Sequence, residues 1–214
     1  DAFDKFENVF KPSRTSETNV LPSVNLTYEY DEKTNLRLAF YQSVNYPEIR
    51  EIARVQTSDF KNDWEVAGND SLQVASIDNY DLRLEYFPGY GEVLAVSFFY
   101  KQLTDAIETS LTSQANYLDR VSWFNGDGEN YGFELEVRSR LDLVSPSLRD
   151  FTLQGNYTRV WSKVDSRVLA NPDEEGESAR FREITRPLQG QAPWLVNLSL
   201  RWEDLAAGTS ATVL

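Results

Sequence analysis

The 214-residue chain contains no cysteine, no histidine and no methionine. Without Cys or His it cannot build a zinc finger, a thiolate or imidazole metal site, a thiol nucleophile or a His-based triad. A disulfide framework is excluded as well, although the absence of Cys does not by itself choose a compartment. Carboxylates remain as the acid and base groups. Positive charge is scarce: Lys and Arg total 21 against 34 Asp and Glu, for a net charge of -13. Binding to a nucleic-acid backbone needs clustered cations to neutralise phosphates, so DNA and RNA are not expected partners. No apolar run approaches the ~18 residues of a membrane helix. If the chain crosses a membrane it does so with strands, because only helices and closed barrels satisfy the backbone inside lipid. A chain opening on Asp1-Ala2-Phe3 also shows no signal-peptide pattern, and it is read as processed or as a piece of a longer protein.

What the sequence does contain is aromatic residues, 13% of the total, and a two-residue alternation of apolar and polar side chains. Seven segments carry it: 21–30, 35–43, 77–87, 92–103, 131–141, 151–161 and 195–203. Side chains on a strand point alternately to opposite faces, so this period predicts strands with two chemically different faces. In the first segment Val24, Leu26, Tyr28 and Tyr30 share one face and Asn25, Thr27 and Glu29 the other. In the third, Tyr80, Leu82, Leu84 and Tyr86 oppose Asp81, Arg83 and Glu85. In the seventh, Val196, Leu198, Leu200 and Trp202 oppose Asn197, Arg201 and Glu203. Residues 209–214 read as part of an eighth strand.

The connections alternate in length. Short turns fall at 31–34, 88–91, 142–150 and 204–208; long connections rich in Asn, Asp, Ser, Glu and Gly fall at roughly 44–76, 104–130 and 165–194. All the long ones then emerge on one side. Loops of that length are uncommon in compact soluble domains, whereas outer-membrane barrels pair short periplasmic turns with long extracellular loops. The expected fold is all-β: a portion of an antiparallel up-and-down transmembrane β-barrel, about seven complete strands plus part of an eighth. Tyr28, Tyr30, Tyr86, Tyr100 and Trp202 lie near strand ends, where interfacial girdles sit. Alternation alone also fits a soluble antiparallel sandwich with apolar residues inward. A closed eight-stranded barrel is the other rival, and the short eighth strand speaks against it.

Several words in fixed order resemble the C-terminal half of the barrel of TonB-dependent receptors. They run from Leu21-Pro22-Ser23-Val24-Asn25-Leu26-Thr27-Tyr28 through Asn35-Leu36-Arg37-Leu38-Ala39-Phe40 to Tyr46-Pro47-Glu48-Ile49-Arg50-Glu51-Ile52-Ala53. Ile77-Asp78-Asn79-Tyr80-Asp81-Leu82-Arg83-Leu84-Glu85-Tyr86, Tyr131-Gly132-Phe133-Glu134-Leu135-Glu136 and Gly155-Asn156-Tyr157-Thr158 continue the series. The resemblance implies that residues 1–214 are a partial receptor barrel, the plug and the C-terminal strands lying outside the chain. It further implies a bacterial outer-membrane location and energy-coupled uptake of a scarce nutrient of the iron-chelate, cobalamin or glycan class. The implied partners are outer-membrane lipid, the TonB protein acting through the plug region, and a small-molecule or glycan ligand. No cofactor, metal or catalytic residue is implied. A soluble all-β carbohydrate-binding module is the alternative function.

Ligand contacts are expected from loop aromatics, namely Trp64, Tyr117, Trp123 and Phe124, and from the Arg180 to Arg186 stretch. The acidic group Asp173-Glu174-Glu175-Gly176-Glu177 lacks calcium-loop spacing and reads as a solvated loop. The strand acids Glu134 with Glu136, Asp81 with Glu85, and Glu203 invite a two-carboxylate hydrolase reading. Arg83, Arg138, Arg140 and Arg201 stand on the same strands to neutralise them, so the chain is not expected to be an enzyme.

Overall fold

The computed structural model describes residues 18–59, 64–113, 119–169, 181–204 and 206–214. They form one sheet whose eight main strands pair antiparallel, each with the next main strand along the chain, as a meander. Its members are β1 (Ser23–Asp31), β2 (Thr34–Asn45), β5 (Ala75–Tyr86), β6 (Val93–Ser113), β7 (Asp119–Arg140), β8 (Phe151–Leu169), β10 (Trp194–Asp204) and β11 (Thr209–Val213). Inserted between β2 and β5 are a one-turn helix α1 (Ile49–Ile52) and a small hairpin of β3 (Gln56–Asp59) and β4 (Trp64–Ala67); β9 (Phe181–Arg186) lies between β8 and β10. The described strands do not close into a ring. β1 and β11 each pair on one side only.

Each strand predicted from the alternation is present. The polar hairpin at 31–34 closes β1 onto β2, its first carboxylate accepting the Lys33 backbone N–H at 2.8 Å. A bend with a left-handed Gly91 joins β5 to β6, and two 3₁₀ turns join β7 to β8.

The register decides which way round the sheet works. Leu26, Leu38, Leu82, Phe98 and Phe133 stand side by side on one face; Tyr28, Leu36, Leu84, Val96, Leu135, Tyr157 and Val196 form the neighbouring row. Among the described residues no second layer covers these rows. Leu26 is 60% exposed, Phe98 51% and Leu198 61%, while on the opposite face Asn79 is 2% and Glu85 7% exposed. A water-soluble sheet must bury its apolar face against another layer; here the apolar face is bare and the polar face is the more enclosed. That inversion suits a wall with lipid outside and a polar interior. The second sheet that the sandwich alternative needs is not found among the described residues.

Aromatic rings edge the apolar face. Phe40, Tyr80, Tyr100, Tyr131 and Trp161 occupy one register row, with centroid separations of 5.1 Å for Phe40 and Tyr80, 6.1 Å for Tyr80 and Tyr100, and 5.9 Å for Tyr131 and Trp161. Tyr86 and the Phe151 and Trp202 pair mark the short-turn end. Along β5, Tyr80 and Tyr86 stand roughly 20 Å apart at ~3.3 Å per residue, comparable with the ~25 Å apolar band of outer-membrane barrels.

The long connections differ from open loops. Residues 106–113 and 119–126 continue the β6–β7 ladder, from Ala106 opposite Gly126 to Ser113 opposite Asp119. A register shift between Leu103 and Ala106, with Asp105 at φ 56°, interrupts this ladder just beyond the aromatic row. β8 likewise runs on to Leu169 and pairs with β9. Polar composition signalled exposure, but the backbone hydrogen-bond demand of two antiparallel chains is met by extending the ladder into water.

Candidate functional site

Two regions gather side chains that no wall strictly requires: the extension beyond the register shift and the polar face below it. In the extension, β4 adds in parallel to the edge of β7, with Val66 opposite Val121. Val66, Leu72, Val121 and Trp123 pack as a small core with Ile107 against it. The excursion from β2 is fastened to it. The Asn69 amide donates to the Trp123 carbonyl at 2.9 Å, and Asn125 and Gln73 exchange bonds of 2.8 and 3.1 Å. Arg50 lies over the Trp123 ring at 5.5 Å. Arg54 pairs with Asp70, whose carboxyl is held below its ordinary range chiefly by that hydrogen bond.

Of the aromatics expected to meet a ligand, Trp123 is thus an anchor, 9% exposed. Phe124 points to the other face of β7, opposite Glu108 and half-buried beside Gly126. Trp64 is on β4 and 36% exposed. Tyr117 lies outside the described residues, as do Arg180 and the acidic group at 173–177. Within the basic stretch, Arg186 donates to the buried Glu108 carboxylate at 2.8 Å and to the Thr109 carbonyl at 3.2 Å.

The polar face carries a network across β2, β5, β6 and β7. Glu85 accepts from Arg37 and from Arg83, each at 2.8 Å; Arg83 also donates to Ser97 at 3.0 Å and to Glu136 at 2.6 Å. Further along the same strands, Lys101 donates to the Asn79 side-chain oxygen at 2.7 Å, and the Asn79 amide reaches the Tyr41 and Ile77 carbonyls and Ser43 at 3.1 Å. Of the expected neutralising arginines, Arg83 meets Glu136 and Arg201 meets Glu203. Glu85 and Glu136 are therefore both ion-paired to Arg83, so in the pairs Asp81 with Glu85 and Glu134 with Glu136 one carboxylate is engaged by an arginine and the other, among the described residues, is not.

Beside this network lies a cavity of about 530 Å³. Phe99 and Val160 contribute apolar surface, Asp81, Lys101 and Glu134 charge, and Gln191 covers it from the segment between β9 and β10. Phe99 packs flat on the β7 backbone because residue 132 is glycine. A Cβ there would overlap the Arg159 carbonyl oxygen and stand 2.7 Å from Phe99 Cζ. The covering segment is fixed by Arg186 on Glu108, by Leu188 N–H to Ser162 at 3.0 Å, and by the Thr109 hydroxyl donating to the Gln189 side-chain oxygen. Asn79, Lys101, Asn130 and Gln191 were not singled out by the sequence. Alternation gives their face, but the strand register that brings four distant segments together is not a local signal.

A single sheet with a bare, aromatic-edged apolar face, a charged opposite face and strands prolonged past one edge is the wall of an outer-membrane β-barrel. Within that class, the chain belongs to the TonB dependent receptor-like β-barrel family, whose sequence profile matches residues 1–212. Proteins of this family sit in the outer membrane and act as receptors. In fold the chain is similar to the siderophore receptor PirA from Pseudomonas aeruginosa, with TM-score 0.56, 14% identity and 86% of this chain and 36% of that chain covered. It is also similar to a variant of the ferric enterobactin receptor PfeA from Pseudomonas aeruginosa in complex with enterobactin, with TM-score 0.54, 17% identity and coverage of 86% and 26%. The chain thus spans about a third of the length of the structures it matches. Among curated proteins, none matches the chain in sequence.

Proposed function

We propose that the chain is a stretch of the lipid-facing wall of an outer-membrane receptor that takes up a ferric chelate of the siderophore class, with energy supplied through TonB. The observation that carries this reading is the inverted sheet: apolar rows bare, Glu85 and Asn79 enclosed, and the band edged by Tyr80 and Tyr86. The resemblance in fold to proteins named as siderophore receptors favours iron chelates over cobalamin or glycans. The role is transport and not catalysis, since Glu85 and Glu136 are ion-paired to Arg83. Outer-membrane lipid contacts the apolar rows, TonB acts through a plug region beyond this chain, and the β4 and β9 extensions face the cell exterior. The membership of residues 1–214 in one larger barrel domain is part of the same proposal.

The test uses the full-length receptor in a bacterial host deprived of its own ferric-chelate receptors. Radiolabelled ferric-chelate uptake is expected in the presence of TonB and absent without it. Recovery of the full-length protein in the soluble fraction, or uptake indifferent to TonB, would overturn the reading.

A further inference from the structure

The cavity under Gln191 has an imbalance of hydrogen-bonding groups. Its cations are already engaged: Arg83 donates to Glu85, Ser97 and Glu136, and Lys101 to Asn79. Its acceptors are open. The side-chain carbonyl oxygens of Asn130 and Gln191 are buried without a hydrogen-bond partner. Half-buried Asp81 and exposed Glu134 line the same cavity, and neither carboxylate has an ion-pair or hydrogen-bond partner among the described residues, so the two unsatisfied buried atoms are the amide oxygens of Asn130 and Gln191. Buried polar atoms are almost always satisfied, so each exception asks for an explanation.

Placement makes the four groups one site. Asp81 stands in register with Phe99 and Gly132, Asn130 with Lys101, and Glu134 with Ser97, so Asp81, Asn130 and Glu134 surround the Phe99 ring. Gln191 meets them from above, on a segment fixed by the Arg186 to Glu108 pair. An occupant complementary to four oxygen acceptors, two of them anionic, bears several N–H donors and a positive charge. The apolar surface of Phe99 and Val160 suits a methylene stem leading to it. The volume of about 530 Å³ falls in the ordinary range for small-molecule pockets.

We infer that this cavity is a subsite for a cationic multi-donor group, a primary ammonium or a guanidinium, carried on an arm of the transported chelate. The inference rests on the chelate-receptor reading above and narrows it to ligands with a positively charged arm. Charge-assisted hydrogen bonds are about twice as strong as neutral ones, so the carboxylates supply most of the selectivity.

The test compares two probes on the detergent-solubilised full-length receptor: a ferric trihydroxamate with a pendant primary amine, and the same chelate with that amine acetylated. Affinity is read from quenching of tryptophan fluorescence. The free amine is expected to bind roughly tenfold or more tightly, the order of one charge-assisted hydrogen bond. The double variant Asp81→Asn, Glu134→Gln should lose that preference while still binding both chelates. Asn130→Asp adds a charge without changing shape, and should tighten binding of the amine probe severalfold while leaving the acetylated one unchanged. Equal affinities for the two probes, the result expected if a basic side chain of the receptor itself fills the cavity, would overturn the inference and leave the receptor reading intact. Persistence of the preference in the double variant would overturn it too. Failure of both chelates to bind at all would remove both.

Discussion

Replacing Trp123 with alanine is expected to detach the loop excursion from the barrel wall without unfolding the wall. Trp123 is 9% exposed and packs with Val66, Leu72 and Val121, with Arg50 over its ring. Removing a buried tryptophan side chain costs about 3–5 kcal/mol, because the lost transfer energy is joined by the cavity left behind. What that cost opens depends on what else holds the region. β4 is tied to β7 by three residue pairs, Trp64 with Asp119 to Val66 with Val121. The wall strands below the register shift are paired along more than ten residues on each side. The loss therefore falls on local opening of residues 64–74, whose amide exchange should accelerate by about 10²–10³-fold, at 1.4 kcal/mol per decade. Hydrogen-exchange mass spectrometry on the full-length receptor reads this directly, with Trp123→Phe as a milder control. Unchanged protection at 64–74 would refute the anchoring role. Loss of protection throughout β5 to β8 would refute the independence of the extension from the wall.

Gly132→Ala should destabilise by about 2–3 kcal/mol, since the added Cβ meets the Arg159 carbonyl oxygen and the Phe99 ring; denaturant titration in detergent checks it, and wild-type stability would disprove the close approach. Glu85→Ala removes the carboxylate shared by Arg37 and Arg83 at 7% exposure and should cost about 3 kcal/mol. Glu85→Ala and Arg83→Met should be less than additive in a double-mutant cycle, because both remove the same 2.8 Å ion pair while Arg83 keeps Glu136 and Ser97 when Glu85 alone is lost. The Arg54 and Asp70 pair gives a pH dependence of definite sign. Asp70 titrates lower in the folded loop than in an unfolded one, so its contribution is fully present above the ordinary carboxylate range and is lost as pH falls through the lowered value. Protease protection of residues 46–74 should therefore weaken only in acid, and Asp70→Asn should remove that part of the pH response.

The wall was legible because its signal is local. Leu82, Leu84 and Tyr86 against Asp81, Arg83 and Glu85 state a two-faced strand within six residues, and the turn chemistry of Asp31 to Thr34 and Gly89 to Gly91 bounds it. Which face is wet was not settled by alternation, since a sandwich gives the same pattern; it follows from the exposure of Leu26 and Leu198 against the enclosure of Asn79 and Glu85. The extension was missed as structure because its inward and outward residues are alike in polarity. Ser110 opposite Ser122 and Asn125 opposite Ile107 show no period, and the ladder there is held by backbone pairing. Trp123 looked like a ligand platform because loop aromatics often are. The parallel addition of β4 that buries it joins residues more than fifty positions apart. The cavity depends on the same kind of long-range placement, with Asp81, Asn130 and Gln191 arriving from three separate segments.

The orientation of the sheet is open to direct measurement, because residues 1–214 hold no cysteine and, with any cysteine elsewhere in the receptor replaced, accept single cysteine labels one at a time. Cysteines placed singly at residues 79–86 of β5 in the full-length receptor, labelled with an environment-sensitive fluorophore in lipid bilayers, should alternate. Labels at 80, 82, 84 and 86 are expected to be quenched by brominated lipid, and those at 79, 81, 83 and 85 to be quenched by aqueous iodide or shielded from both. A uniform response along the strand, or lipid quenching at 81, 83 and 85, would contradict a wall whose apolar face meets the membrane.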